Sequence, residues 1–506
     1  MPIPKEILDV KRPKNTVVIV YGVKKDKYAV RQRVGCKRVN GRNIPINGPT
    51  IGHIINGEYV PKEDKSKLSV SRQTKETEHK VDLKDWANII LCDELFRDIQ
   101  KELKSIYNNE DTLKIFSIAL LRVCYPGIKD NELKDYYDNS FLSELYPNVG
   151  LSKNTVSKFL NDLGKCCSMI RKFMQNRATS INLDHHLLVA GTLKSNESNE
   201  SKINSLSDFS RKAKTKGTKD ISVLYAFDFE KMEPICSKCY LGNMLDCTSY
   251  KDFIKENGIT KGIIVADKGF PSSATTDHFS KHKDLHYLNP VKRNSKFIAT
   301  HNLLSFDNIL ESDADITYRK EKCSGINKWL YSFRNRVDAS NEEKSYLEQA
   351  KVNKTYNHEE FLEKQKKFGT IILECDLDIP AELVYKIYKN RWEIEIVMRY
   401  YKNACQFDET RVHDDYSVIG SEFCDFLSTV LTFRLLKKFE ETELINSYTY
   451  KKILSVLNRA KKIRIDNGDW DLLNMNPSQI KILQKLSLVP QEDLPKQKRG
   501  RPKKTL

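Results

Sequence analysis

Four side chains in the last third of the chain could together grip and cut a phosphodiester. Tyr388, Arg391, Glu395 and Lys402 are separated by three, four and seven residues. At about 100° per residue on a helix they fall within about 60° of one another, so one face carries a phenol, a guanidinium, a carboxylate and an ammonium. Glu393 points nearly the opposite way. On its own the pattern also describes a salt-bridged surface helix, with Arg391 and Glu395 as an i,i+4 pair. Asp267 shifts that balance. It follows Gly262-Ile-Ile-Val-Ala266, which reads as a buried strand, and so stands at a carboxyl end, where α/β sheets place their ligands. Buried carboxylates are expensive unless paired or bound to a metal. Asp267 and Glu395, with Arg and Lys beside them, suit divalent-metal phosphoryl transfer. Oxygen ligands favour Mg2+ or Mn2+, and the cations hold phosphates.

The chain has 506 residues, with 85 Lys+Arg against 68 Asp+Glu and a formal net charge of +17. At roughly 150 residues per domain this is about three domains, and several cores can be buried. Hydrophobic residues at 39% and aromatics at 9% exclude a mostly disordered chain. No run of 18 apolar residues exists, so no spanning helix and no membrane partner are expected. Pro2, Pro4 and Lys5 stand where a signal peptide needs an apolar core, so export is not expected. Twelve cysteines without regular spacing read as reduced cytosolic thiols. The surplus charge fits a polyanionic partner, nucleic acid first among them.

The elements that must position these residues form an α/β chain. Residues 1–84 read as a basic β-rich module, with Thr16–Tyr21 and Tyr28–Arg33 as strands and Asn40-Gly41, Asn47-Gly48-Pro49 and Asn56-Gly57 as turns. Twelve of its first 45 residues are Lys or Arg, which makes it either a DNA contact or an ordinary solvated surface. Residues 85–178 turn helical. Within them Ser152 caps a predicted helix over 151–164, with Val156, Leu160 and Leu163 inward and Lys153, Asn154, Ser157 and Lys158 outward. A helix-turn-helix recognition helix looks like this, and so does any amphipathic surface helix. Residues 179–290 give strands at His186–Ala190, Ile221–Phe227, Pro234–Tyr240, Gly262–Asp267 and Leu285–Pro290, with a helix over Asp246–Gly258. That order is the order of an RNase H-like sheet, which by itself carries no function. Residues 291–370 read as an insertion containing the strand Lys328–Arg334. Residues 371–415 hold a long helix from Ile379 to about Phe407. Residues 416–490 are helical, with two helices between Ser417 and Arg464 and a possible role in dimerisation. Residues 491–506 form a basic tail with six positive charges between Lys496 and Lys504.

With these residues in place, the sequence resembles the bacterial insertion-sequence transposases of the DDE superfamily, in the group with a Tyr-x2-Arg-x3-Glu-x6-Lys signature. Tyr388, Arg391, Glu395 and Lys402 carry the signature. Val265-Ala-Asp267-Lys-Gly-Phe270, Tyr225-Ala-Phe-Asp228 and Gly242-Asn243-Met-Leu-Asp246 support it, and the likeness runs from Arg12 to about residue 440. The resemblance implies an RNase H-like catalytic domain interrupted by an insertion. It implies three carboxylates holding two Mg2+ (or Mn2+) ions, the second at Asp267 and the third at Glu395. The first belongs to an Asp-Gly-Thr motif, and here that segment is Ala190-Gly191-Thr192. Alanine coordinates no metal, so the exchange reads as an inactivating substitution, with a repurposed copy as the alternative. Asp184 and Asp228 are the nearby candidates for a substitute.

The resemblance further implies cut-and-paste transposition of an insertion sequence: a homodimer binds terminal inverted repeats and target DNA and performs metal-dependent strand cleavage and transfer. It places the protein in the bacterial cytoplasm, at the nucleoid. Tyr388, Arg391 and Lys402 would grip phosphates. Trp329 would stack a flipped base, with Trp392 second and plain packing as the bland reading. Lys292 and Arg293 are further candidate DNA contacts, as are Arg499 and Arg501 of an Arg-Gly-Arg-Pro segment that looks like an AT-hook. The runner-up function is a non-catalytic or domesticated DNA-binding derivative. Cys236-Ser-Lys-Cys239 is a single pair, too few ligands for zinc.

Overall fold

The computed structural model describes residues 3–21, 27–39, 42–62, 80–196, 205–209, 219–244, 246–266, 279, 281–325, 327–391, 409–410, 412 and 414–490. It divides into two compact units, residues 1–80 and 81–506.

The first unit is a four-stranded antiparallel sheet: β1 (Thr16–Tyr21), β2 (Lys27–Val39), β3 (Arg42–Ile55) and β4 (Glu58–Pro61), paired in that order. Val18, Val30 and Ile54 form its small core. Asn56 and Gly57, at φ 51° and 81°, make the tight β3–β4 turn as the Asn-Gly pair predicts. Asn47-Gly48-Pro49 behaves differently, lying inside β3 where the β2–β3 register shifts. A Cβ at Gly48 would come 2.7 Å from Val34 of β2, so the glycine serves close strand approach there.

In the second unit β5 (Val81–Asp85) precedes the helices Ala87–Lys104, Asn109–Cys124, Lys153–Lys165 and Cys167–Ala178. Lys153–Lys165 forms as its pattern dictates. The Ser152 hydroxyl accepts from the Thr155 amide, Val156, Leu160 and Leu163 are buried, and Lys153, Asn154, Ser157 and Lys158 face outward. Its buried side meets the long Asp415–Glu441 helix. Two glycines make that crossing possible. A Cβ at Gly164 would lie 1.8 Å from the Tyr416 carbonyl oxygen, and one at Gly420 would lie 2.1 Å from that of Leu160. Neither oxygen can swing away, because both belong to backbone. Gly164→Ala is therefore expected to lose about 1–3 kcal/mol or more through forced helix separation. A melting temperature equal to the parent's would refute that crossing.

The main sheet is built from β6 (His186–Asn196), β7 (Asp208–Phe209), β8 (Lys219–Asp228), β9 (Glu233–Leu241), β10 (Gly262–Ala266), β11 (Leu285–Pro290), β12 (Asn308–Ile309), β13 (Ile316–Lys322), β14 (Trp329–Asn335), β15 (Thr370–Cys375) and β16 (Glu409–Thr410). At its centre the order is β9-β8-β6-β10-β11. β6, β8 and β9 form an antiparallel meander, β10 runs parallel to β6, and β11 runs parallel to β10. The 291–370 stretch is no detached lobe. β13 and β14 pair through β15 with β11, so they extend the same sheet. The Asp246–Glu256 helix links β9 to β10.

After the Asp415–Glu441 helix come Tyr450–Arg459, β17 (Lys461–Ile465), β18 (Asp471–Leu472) and Pro477–Lys485. Residues 461–465 lie in the stretch read from sequence as helix. They instead pair with β5, the segment 81–85, as an alternating Lys-Lys-Ile-Arg-Ile strand. Among the described residues no helix is long and apolar enough to cross a membrane.

Candidate active site

β6 and β10 lie side by side with Ile263 opposite His186 and Ala266 opposite Val189. The end of β10 is thus delivered next to the residue that precedes Ala190. Asp267 follows Ala266 in sequence and lies outside the described residues, as do Trp392, Glu395, Lys402, Arg499 and Arg501. Ala190 itself is half-buried, pairs with Tyr225 of β8, and by strand alternation shares a sheet face with Thr192 and Lys194. A methyl group offers a cation no lone pair. The position that would supply the first carboxylate therefore does not fit a metal ion.

Neither nearby acid stands at that position. Asp184 is exposed, ahead of the strand. Asp228 is fully buried and sits opposite Leu187, three register steps from Ala190, or about 10 Å. Its carboxylate accepts from the Glu230 and Lys231 amides at 3.0 and 3.1 Å, and its Oδ2 is 2.8 Å from His185 Nδ1. Burial raises its pKa, and these contacts oppose the rise. His185, Asp228 and Glu230 bring their ligand atoms within 4.8 Å of one another, the spacing of a possible metal group. Glu230 is, however, also engaged by His186, through Nδ1 at 2.6 Å and the amide at 2.9 Å. The group closes the β8–β9 turn onto the start of β6.

Residues 381–391 are helical and carry the first half of the signature. Arg391 Nη1 donates to the Tyr388 hydroxyl at 3.0 Å, with the guanidinium 5.5 Å from the ring centre. Both are buried, at 7% and 4% exposure, so this face turns toward protein rather than bulk solvent. The helix is pinned from the 291–370 stretch. The Tyr331 hydroxyl donates to the Ile379 carbonyl at 2.8 Å and accepts from the Ile379 amide at 2.9 Å, and Phe333 packs on Tyr385 at 5.1 Å between ring centres. β14 thus sets where the signature helix begins.

Trp329 opens β14, half-buried and opposite Lys322 of β13. Lys320 and Lys322 stand 4.7 and 5.4 Å from its ring centre, which makes a basic-aromatic patch on two strands. Lys292 is exposed just past β11. Arg293 is committed elsewhere: its Nε donates to the Thr370 carbonyl, and its two terminal nitrogens grip Glu342 at 2.8 and 2.9 Å. Cys236 and Cys239, three apart on β9, place their sulfurs on opposite faces. Burial raises both thiol pKa values.

The charged group that sequence reasoning missed lies on β6, four residues past Ala190. Lys194 Nζ is 2.6 Å from Glu422 and 2.9 Å from Asp425, and Arg122 Nη1 reaches Asp425 from the other side at 2.7 Å. All four side chains are buried. They join β6, the Asn109–Cys124 helix and the Asp415–Glu441 helix.

Comparison with known proteins bears on this stretch. Residues 178–418 match the family of the transposase DDE domain. The matched stretch begins at the end of the Cys167–Ala178 helix, contains β6 through β16, and ends in the Asp415–Glu441 helix. Ala190 and the β6–β10 pair lie inside it. Among solved structures, a piggyBac transposase synaptic complex with hairpin DNA aligns at 13% identity with a TM-score of 0.39, over 74% of this chain and 79% of that one. That likeness is too loose to carry an argument. No curated protein matches.

Proposed function

We propose that the protein is a DNA transposase of the cut-and-paste kind whose catalytic centre is disabled at Ala190. The observation that supports this reading is the β6–β10 pair: within the stretch that matches a transposase DDE domain, it sets Ala266, the residue before Asp267 in sequence, opposite Val189, the residue before Ala190. The order β9-β8-β6-β10-β11 fits an RNase H-like core, with 291–370 extending its sheet. In this reading Asp267 and Glu395 supply two of three carboxylates for Mg2+ or Mn2+. Lys402 holds phosphates of the element end, the buried Tyr388–Arg391 pair braces its own helix rather than touching DNA, and Trp329 with Lys320 and Lys322 stacks or flanks the strand. The Lys153–Lys165 helix, the N-terminal sheet and the 491–506 tail are the candidates for reading or gripping DNA, and a homodimer would pair two ends.

Ala190 also favours a second reading, a repurposed DNA-binding derivative that keeps end recognition without cleavage. Both readings require binding of double-stranded DNA. A labelled duplex carrying the element's ends should bind with log K falling linearly in log salt, and Lys402→Ala should shrink the slope by about one. No duplex binding at low salt would overturn both readings. An unchanged slope in the variant would remove Lys402 from the phosphate grip.

A further inference from the structure

Among the described residues, one group of three His, Cys, Asp or Glu side chains brings its ligand atoms together: His185, Asp228 and Glu230, all within 4.8 Å of one another. The group is separate from position 190, since Asp228 sits opposite Leu187, about 10 Å along the strand from Ala190. Three segments supply it: the approach to β6, the last residue of β8 and the β8–β9 turn. His185 and Asp228 are buried, whereas Glu230 reaches solvent and gives an ion a way in.

The charge of the group calls for a cation. Neither carboxylate forms an ion pair with Lys or Arg among the described residues; Asp228 faces the His185 ring and Glu230 the His186 ring. Lys231, the neighbouring lysine, sends its ammonium to Ser180 instead. A buried carboxylate is costly without a compensating charge, and an imidazole brings one positive charge at most. A divalent cation brings two. The ligands are also oriented from behind. Asp228 Oδ1 accepts from the Glu230 and Lys231 amides at 3.0 and 3.1 Å, which leaves Oδ2 as a single directed donor, 2.8 Å from His185 Nδ1. Glu230 is steadied by the amide and ring of His186. The Asn182 side-chain amide stands 3.3 Å from His185 Nε2, where its oxygen can take the ring proton and leave Nδ1 for a metal. Such partners fix the direction of metal ligands. Zinc bonds of about 2.1 Å in a tetrahedron put ligand atoms about 3.4 Å apart, so the His185–Asp228 contact has to open by only about 0.6 Å.

We propose that His185, Asp228 and Glu230 hold a zinc ion, with water as the fourth ligand, apart from the carboxylates assigned to strand cleavage. An imidazole with two carboxylates suits Zn2+, which such donor sets bind more tightly than Mn2+. The ion ties the start of β6 to the end of β8 and so steadies the strand that carries position 190. This assignment does not rest on the transposase reading, and its test needs no DNA. Zn2+ at micromolar concentration is titrated calorimetrically into the full chain after dialysis against EDTA, with melting followed in parallel. A saturable site and a higher melting temperature are expected. Glu230→Gln and His185→Gln should each weaken zinc binding at least about tenfold, and Asp228→Asn at least as much. His286→Gln breaks a two-member contact with Asp376, 3.0 Å long, and should bind zinc like the parent. The proposal is overturned if the parent shows no saturable zinc binding and no melting shift. It is equally overturned if Glu230→Gln and His185→Gln bind zinc like the parent, which would put the ion elsewhere. Glu230 is exposed, so its variant decides the matter even if Asp228→Asn fails to fold.

Discussion

The Ala190→Asp chain is expected to nick duplexes carrying its element ends in the presence of Mg2+ or Mn2+, while the parent chain binds the same duplexes without cutting them. The expectation follows from where position 190 lies. It is on the central strand of the matched stretch, at the register level to which β10 delivers its end, and its side chain is half-buried. Nothing described around it substitutes, since Asp228 is about 10 Å along the strand and already holds two amides and faces His185. Loss even of an outer-shell partner of a metal ligand typically costs 10–100-fold in affinity or activity, so loss of a direct ligand should cost at least about that. The gain in the variant should therefore exceed about a hundredfold and vanish with EDTA. A second readout needs no DNA. A carboxylate placed beside other carboxylates is destabilising until a cation arrives, so Mn2+ should raise the variant's melting temperature by mass action and leave the parent's unchanged. If the variant binds end DNA but neither cleaves nor shows the Mn2+ shift, the assignment of position 190 is wrong.

What could be read from sequence divides along physical lines. The Lys153–Lys165 helix was legible because its information is local: a serine cap, a 3.6-residue apolar period and an outward polar face. The apolar runs of β6, β8 and β10 were legible for the same reason, and so was the Asn56-Gly57 turn. Tyr388 and Arg391 were rightly placed on one helical face, but spacing could not show that this face is buried. The helix start is pinned by Tyr331 and Phe333, more than 45 residues earlier in the chain, through Ile379 and Tyr385. β17 was misread because Lys461–Ile465 follows directly on a strongly amphipathic helix, and only its partner β5, some 380 residues away, makes it a strand. The ion group of Arg122, Lys194, Glu422 and Asp425 left no local signal. On sequence, Lys194 is one lysine among many in a basic chain, and its partners lie 228 and 231 residues away.

That ion group carries the largest expected effect on stability. Lys194→Met keeps the length and apolar stem of the side chain but leaves Glu422 and Asp425 buried with Arg122 as their remaining cation. Removing one partner of a buried ionic group typically costs about 3–5 kcal/mol, because the desolvation of the remaining charges is no longer offset. The loss should depend on pH, with a definite sign. The Glu422 carboxyl is raised to about 7 from an ordinary 4.5, chiefly by burial; Lys194 opposes the rise and Asp425 adds to it. A carboxyl whose pKa is raised on folding favours the folded state below its unfolded pKa, and that contribution is lost as pH rises through its folded pKa. In Lys194→Met the main restraint on the rise is gone, so the carboxyl can stay protonated to higher pH, and ionising it in place costs more. The stability gap between parent and variant should therefore be small near pH 5 and widen through pH 7 to 8. Adding Glu422→Gln to Lys194→Met removes the titrating charge while keeping its shape, and should recover part of the loss at pH 8 but little at pH 5. Denaturant midpoints of the three chains across that range give the comparison. A gap independent of pH, or a double variant no more stable than Lys194→Met at pH 8, would mean that Lys194 contributes packing rather than charge. Because Lys194 lies on the same strand face as Ala190, four residues on, the same measurement in Ala190→Asp would show whether the new carboxylate couples to this group.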